Sequence, residues 1–98
     1  MDYKIIFSPE FESDLDETLN VLADFSTRAV KSFYDKLIKQ TELLRLFPYM
    51  HSIREDLDGE LRIASIKKYN LYYRINEDKM AVEFVRLAYG ALPYSHLR

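Results

Sequence analysis

Residues 59–75 read GELRIASIKKYNLYYRI and contain the clearest β-sheet pattern of the chain. Two β-prone runs, 61–66 and 69–75, are separated only by Lys67 and Lys68, a spacing typical of a β-hairpin. Successive side chains of a strand point to opposite faces. The second run therefore predicts one mainly apolar face, with the following members: Tyr69, Leu71, Tyr73 and Ile75.

The opposite face of this hairpin is predicted to be polar and free. Asn70, Tyr72 and Arg74 alternate with the apolar positions of the second run. Arg62 of the first run is assigned to the same open face, where a macromolecule has access to it. We therefore expect the functional side chains on this side of the sheet.

A third strand is predicted C-terminal to the hairpin, over residues 80–89, after an acidic turn at 76–79. Glu83 and Arg86 would fall on opposite faces of a regular strand. Either a β-bulge intervenes or both faces are partly covered. Residues 90–93 end the sheet and leave a short tail.

The N-terminal half predicts one strand and two helices. Residues 3–7 form a short β-prone run, and Ser8-Pro9 is a typical helix start, which places the first helix at about 9–24. Apolar residues then recur at helical spacing from Ala29 to Phe47, and Pro48 ends the run. Residues 48–60 form a polar connection back to the hairpin.

Together these elements predict a single α+β domain over residues 1–98 with the order β-α-α-β-β-β. The two helices form an antiparallel hairpin with apolar stripes that must be covered. We expect an antiparallel sheet packed on this N-terminal helical hairpin, with one sheet face left open.

Composition excludes several classes of protein. The chain has no cysteine, so it has neither disulfides nor thiolate metal sites, and its two histidines lack paired ligand spacing; no metal or cofactor is expected. No apolar run approaches the ~20 residues of a membrane span, and no signal-peptide pattern is present. A soluble, cytoplasmic protein is expected.

Charge is distributed unevenly along the chain. Residues 1–60 hold seven Lys and Arg against thirteen Asp and Glu, a net charge of −6, and residues 61–98 hold seven against three, a net charge of +4. Either an anionic partner meets the C-terminal strands, or the two halves neutralise each other in the fold.

The ordered set of motifs resembles the RelE/ParE family of bacterial type II toxins, in its plasmid-stabilisation branch. The resemblance covers essentially the whole chain. It rests on the following motifs: Phe7-Ser8-Pro9 before a helix with Asp14-Leu15, Leu44-Arg45-Leu46-Phe47-Pro48, Gly59-Glu60-Leu61-Arg62, and Tyr69-Asn70-Leu71-Tyr72-Tyr73-Arg74-Ile75. It implies the fold given above and a cognate antitoxin protein as partner.

The resemblance implies two possible targets. Some family members cut messenger RNA on the ribosome, and others poison DNA gyrase. The ribonuclease members usually carry arginine at the position of Asn70, and this departure favours gyrase-type poisoning by binding. A metal-independent endoribonuclease and an inert homologue that binds only its antitoxin are the alternatives.

Candidate site residues follow from the resemblance and from the predicted open face. RNA cleavage needs a base, an acid and cations around the developing phosphorane charge, and the sequence pattern identifies no general base. The candidates for catalysis are Arg62, Arg86 and Tyr89. The candidates for target binding are Arg62, Lys68, Asn70, Tyr72 and Arg74.

Overall fold

The computed structural model describes residues 2–90 and 93–97. Ala91 and Leu92, in the segment predicted to end the sheet, and Arg98 at the end of the tail lie outside the described residues. The elements are, in chain order, β1 (Lys4–Phe7), α1 (Pro9–Ala23), α2 (Thr27–Leu46), β2 (Arg62–Ile66), β3 (Tyr69–Asn76), β4 (Ala81–Tyr89) and a 3-10 turn (Tyr94–His96). The α+β class and the order β-α-α-β-β-β are confirmed.

The four strands form one sheet in the order β1-β4-β3-β2. β2 pairs with β3 and β3 with β4 in antiparallel fashion, but β1 runs parallel to β4, so the sheet is mixed rather than wholly antiparallel. Tight turns force antiparallel pairing within the β2-β3-β4 part. β1 and β4 are far apart in the chain, so no turn sets their relative direction.

Both helices begin at a serine whose side chain accepts a backbone hydrogen bond. Ser8 caps α1 and Ser26 caps α2, each accepting from the N–H three residues later. The stripes of the two helices pack on one sheet face. Among the described residues, neither helix combines the length and apolarity needed to cross a bilayer.

The core lies between the helical hairpin and this face of the sheet. Tyr73 and Phe84 from the centre of the sheet are fully buried against Phe11 of α1 and Phe33 of α2. The rings of Phe84 and Phe11 pack in a tilted arrangement with 5.4 Å between their centroids. Alternation in the sequence correctly places the apolar face of β3 against the helices.

A β-bulge in β4 accounts for the irregular alternation of that strand. Tyr72 lies opposite Arg86, whereas Tyr73 lies opposite Phe84, so Val85 is the extra residue. The bulge begins where β1 ends. Ser8 takes over the edge of β4 there, because its N–H donates to the Phe84 carbonyl at 3.0 Å and its hydroxyl donates to the Val85 carbonyl at 2.8 Å.

Replacing Ser8 by alanine is expected to lower the free energy of unfolding by about 1–2 kcal/mol. The hydroxyl both caps α1 and satisfies the bulge carbonyl, so two hydrogen bonds are lost together. Urea denaturation measures the change. Ser26→Ala is the matched control, since the Ser26 hydroxyl only caps α2. An equal loss in both variants would show that the bond to Val85 contributes nothing.

Candidate functional site

Arg86 is held by Asp14 at the free edge of β4. Nε of Arg86 lies 2.7 Å from Oδ2 of Asp14, and a second guanidinium nitrogen lies 3.1 Å from Oδ1. The Leu87 N–H donates to the same carboxylate at 3.0 Å. The hydrogen bonds that Arg86 donates to Asp14 raise the pKa of Arg86 above its usual value. Asp14 thus neutralises Arg86. It also accepts the Leu87 backbone hydrogen bond that a neighbouring strand would otherwise accept.

Arg62 lies on the helix-facing side of the sheet, which corrects its predicted place on the open face. Its cross-strand partner is Tyr73, a core residue. The guanidinium donates to the His51 carbonyl and lies 5.0 Å from the centre of the Tyr49 ring. Arg62 therefore fixes the 48–60 connection against the end of the sheet and does not join the other polar candidates.

Tyr49 is held in place by a hydrogen bond to Glu77, a residue that was not among the predicted site residues. The hydroxyls of Tyr49 and Tyr3 both donate to the Glu77 carboxylate. These bonds raise the pKa of both phenols. The β3-β4 turn, the start of β1 and the connection are thereby tied together, and no local sequence pattern indicates this contact.

Tyr72 is buried, and its predicted exposure on the open face is wrong. Only 3% of its surface is accessible, because Tyr94 of the C-terminal tail packs over it with 4.7 Å between ring centroids. Alternation assigned Tyr72 to the correct face. The tail folds back over that face, and this long-range contact is not visible in the periodicity.

Arg74 does lie exposed on the open face, as predicted, but it is paired. Its Nε lies 3.0 Å from Oε1 of Glu83, its cross-strand neighbour. Asn76 donates to the other oxygen of that carboxylate at 3.2 Å. The bond to Arg74 is the main reason that the pKa of Glu83 is below its usual value.

Protonating Glu83 is expected to remove a small part of the stability. Its folded-state pKa is lowered, so the contribution is fully present above the usual glutamate pKa of about 4.3 and is lost as the pH falls through the folded value. Arg74 is half exposed, which keeps the pair to at most about 1 kcal/mol.

Urea midpoints of the native protein and of Glu83→Gln, compared from pH 7 to pH 3, measure this term. We expect the two curves to converge on acidification. A difference that persists at pH 3 would mean that the charge of Glu83 is not the cause.

Lys68, Asn70 and Tyr89 come together at the corner where the β2-β3 hairpin meets the end of β4. The Gly90 N–H donates to the Lys68 carbonyl at 2.7 Å, an approach so close that a Cβ at Gly90 would lie 3.1 Å from that oxygen. Asn70 lies beside this contact, and Tyr89 is 41% exposed and packs edge-on against Tyr69. This corner is the part of the predicted site that the structure does assemble.

The three candidates for catalysis therefore lie at separate places and do not form one site. Arg62 lies under the connection, Arg86 is committed to Asp14, and Tyr89 lies at the hairpin corner. In the described residues, no group of three or more His, Asp or Glu side chains is placed to hold a metal ion. The arrangement offers a polar surface with exposed lysines rather than a cluster of free arginines.

A two-layer α+β fold with a helical hairpin on a β1-β4-β3-β2 sheet is the fold of RelE/ParE-type toxins. Residues 5–92 match the family model described as the ParE toxin of the type II toxin-antitoxin system parDE. The chain belongs to this family, and so to the type II toxins of the RelE/ParE superfamily. A search of curated protein sequences gave no significant match.

Solved structures of this superfamily share the fold at low sequence identity. A chain of the chromosomal ParDE toxin-antitoxin system from P. aeruginosa superposes with a TM-score of 0.71 at 13% identity, over 89% of this chain and 95% of that one. The RelBE2 toxin-antitoxin complex from Mycobacterium tuberculosis gives 0.64 at 20% identity, over 91% and 99%. The archaeal RelE-RelB complex from Pyrococcus horikoshii gives 0.60 at 17% identity, over 95% and 100%.

Proposed function

We propose that this toxin arrests bacterial growth by binding a macromolecular target, DNA gyrase in the first place, and that a cognate antitoxin neutralises it. One observation carries the proposal. Each of the three strand arginines already has an internal partner: Asp14 for Arg86, Glu83 for Arg74, and the His51 carbonyl with the Tyr49 ring for Arg62.

RNA cleavage by 2′-hydroxyl attack makes demands that this surface meets poorly. The developing phosphorane needs free cations, and the loss of one such donor typically lowers the rate ~10²–10³-fold. Proton transfer needs a base within hydrogen-bond reach of the hydroxyl. Arg62 and Tyr89, two of the three candidates for catalysis, lie on different parts of the sheet and cannot serve one phosphate.

A messenger-RNA endonuclease is the second candidate function. The hairpin corner favours it, since exposed Lys67 and Lys68 line one shallow depression together with Asn70 and Tyr89. Lysines can neutralise a phosphate, and an aromatic ring can stack on an unpaired base. This corner still lacks a free arginine and a base among the residues that line it.

An antitoxin partner is supported by the exposed apolar surface as well as by the family. All three solved structures named above come from toxin-antitoxin systems. The C-terminal end of α2 and the start of the connection expose between 37% and 58% of five apolar side chains: Leu43, Leu46, Phe47, Tyr49 and Met50. A patch of this kind in a small protein usually marks a binding surface.

Induction in bacteria with two parallel readouts tests the proposal. DNA supercoiling and transcript 5′ ends are measured in one culture, with and without the product of the neighbouring reading frame. We expect growth arrest, altered supercoiling and unchanged transcript ends, all reversed by the antitoxin. The proposal places this action in the cytoplasm.

Two other results of the induction experiment would each favour a different function. New transcript ends within coding regions would overturn the binding mechanism in favour of the endonuclease. Normal growth together with tight antitoxin binding would identify an inert homologue. A variant with a disrupted core, such as Phe84→Ala, serves as the non-functional control.

A further inference from the structure

A cleft of about 570 Å³ separates α1 from the last residues of β4. Its α1 wall carries Glu10, Asp14, Glu17 and Val21, and its other wall is formed mainly by β4 between Arg86 and Tyr89. The cleft exists because β1 ends at Phe7, while β4 continues for five residues beyond its pairing with β1. The proposed binding of the target does not depend on any side chain in these two walls, so the cleft is available to another partner.

The floor of this cleft is an edge of β4 that, within residues 2–90 and 93–97, pairs with no other strand beyond Phe84. The Leu87 N–H points into the cleft, where Asp14 accepts it. Backbone groups alternate in direction along a strand, so the N–H and C=O of Tyr89 point to the same edge as those of Leu87. The Gly90 N–H points the other way, to Lys68 of the hairpin, as this alternation requires. Apart from the Leu87 N–H, which Asp14 already binds, the backbone groups of Leu87 and Tyr89 on this edge can pair with one more short strand.

The charge of the cleft selects the kind of strand. α1 contains five acidic residues and no basic residue. Glu10 and Glu17 face the cleft and are exposed, whereas Arg86 is neutralised by Asp14. Val21 and Tyr89 add exposed apolar surface of 51% and 41%. A nucleic acid would be repelled here, and a basic segment with apolar side chains would be attracted.

We propose that an extended, Lys/Arg-containing segment of the antitoxin pairs with β4 at Leu87–Tyr89 in this cleft. This inference rests on the proposed function, since it assigns a docking site to the antitoxin. The segment must be unpaired beforehand to supply a strand, which suits a tail that becomes ordered on binding. A second copy of this chain is a poor donor, because its described strands are already paired within its own sheet.

A charge reversal on the cleft wall tests this docking site. Glu10→Lys/Glu17→Lys is compared with Glu12→Lys/Asp16→Lys, which makes the same charge change at exposed positions of α1 that do not line the cleft. Affinity for the purified cognate antitoxin is titrated at low and high salt. We expect the cleft variant to bind about tenfold or more weakly at low salt and the control variant to bind within about twofold of the native protein.

Equal weakening of both variants, or no weakening of either, would overturn the proposal. Amide hydrogen exchange gives a second measurement that needs no variant: the Tyr89 N–H should become protected when the antitoxin binds, and an unchanged exchange rate there would also overturn it. Growth arrest by the native toxin is scored separately. Its absence would refute the proposed function, while the affinity comparison would still decide the docking site.

Discussion

Replacing Asp14 by alanine is expected to lower the free energy of unfolding by about 3 kcal/mol. The Asp14 and Arg86 side chains are only 15% and 14% exposed. The substitution leaves a largely buried guanidinium without its counter-charge and the Leu87 N–H without its acceptor. Urea denaturation followed by circular dichroism measures the change.

Asp16→Ala is the matched control for this prediction. It removes the same group from an exposed position two residues further along α1, where we expect a change within about 0.5 kcal/mol. Similar values for the two variants would contradict the role given to Asp14. Arg86 would then count as a cation that Asp14 does not neutralise, which would favour the endonuclease.

Phe84→Ala is expected to cost about 4 kcal/mol, the largest effect of any single substitution considered. Phe84 is fully buried and packs on the rings of Phe7, Phe11 and Tyr73, with centroid distances of 5.4–5.8 Å. Removing its ring leaves a cavity between both helices and the sheet. A domain with only 5–15 kcal/mol of total stability would be close to unfolding at 37 °C.

Thermal and urea unfolding of this variant are compared with those of Phe25→Ala. Phe25 is 79% exposed in the turn between the helices, so the same change there should alter stability by less than about 0.5 kcal/mol. A loss below 1.5 kcal/mol for Phe84→Ala would mean that the core is not centred on this residue.

The sequence predicted the elements well because their signals are local. Ser8-Pro9 starts α1 as expected, and the alternation of residues 69–75 places the correct side of β3 on the helices. The bulge was one of two alternatives left open by Glu83 and Arg86. The parallel pairing of β1 with β4 was not predicted, since no turn connects the two strands.

The site was predicted less well because it depends on register and on long-range contacts. Arg62 was assigned to the wrong face, although a two-residue turn at Lys67-Lys68 puts Ile66 opposite Tyr69 and, by counting back, Arg62 opposite Tyr73. Counting the register back from the turn would therefore have placed Arg62 on the correct face. Tyr94 packs over Tyr72, and Asp14 accepts hydrogen bonds from Arg86. Both contacts join residues far apart in the chain, so no local sequence pattern predicts them.

Inhibition of DNA gyrase by the toxin is tested most directly with purified components. DNA gyrase is assayed for supercoiling of relaxed plasmid while toxin, freed from its antitoxin, is added from zero to a several-fold molar excess. If the toxin acts by occupying its target, inhibition should rise with the toxin-to-gyrase ratio, level off near equimolar amounts and be reversed by antitoxin. Undiminished supercoiling at a large excess of a toxin that still arrests growth in cells would contradict gyrase binding as the cause of the arrest.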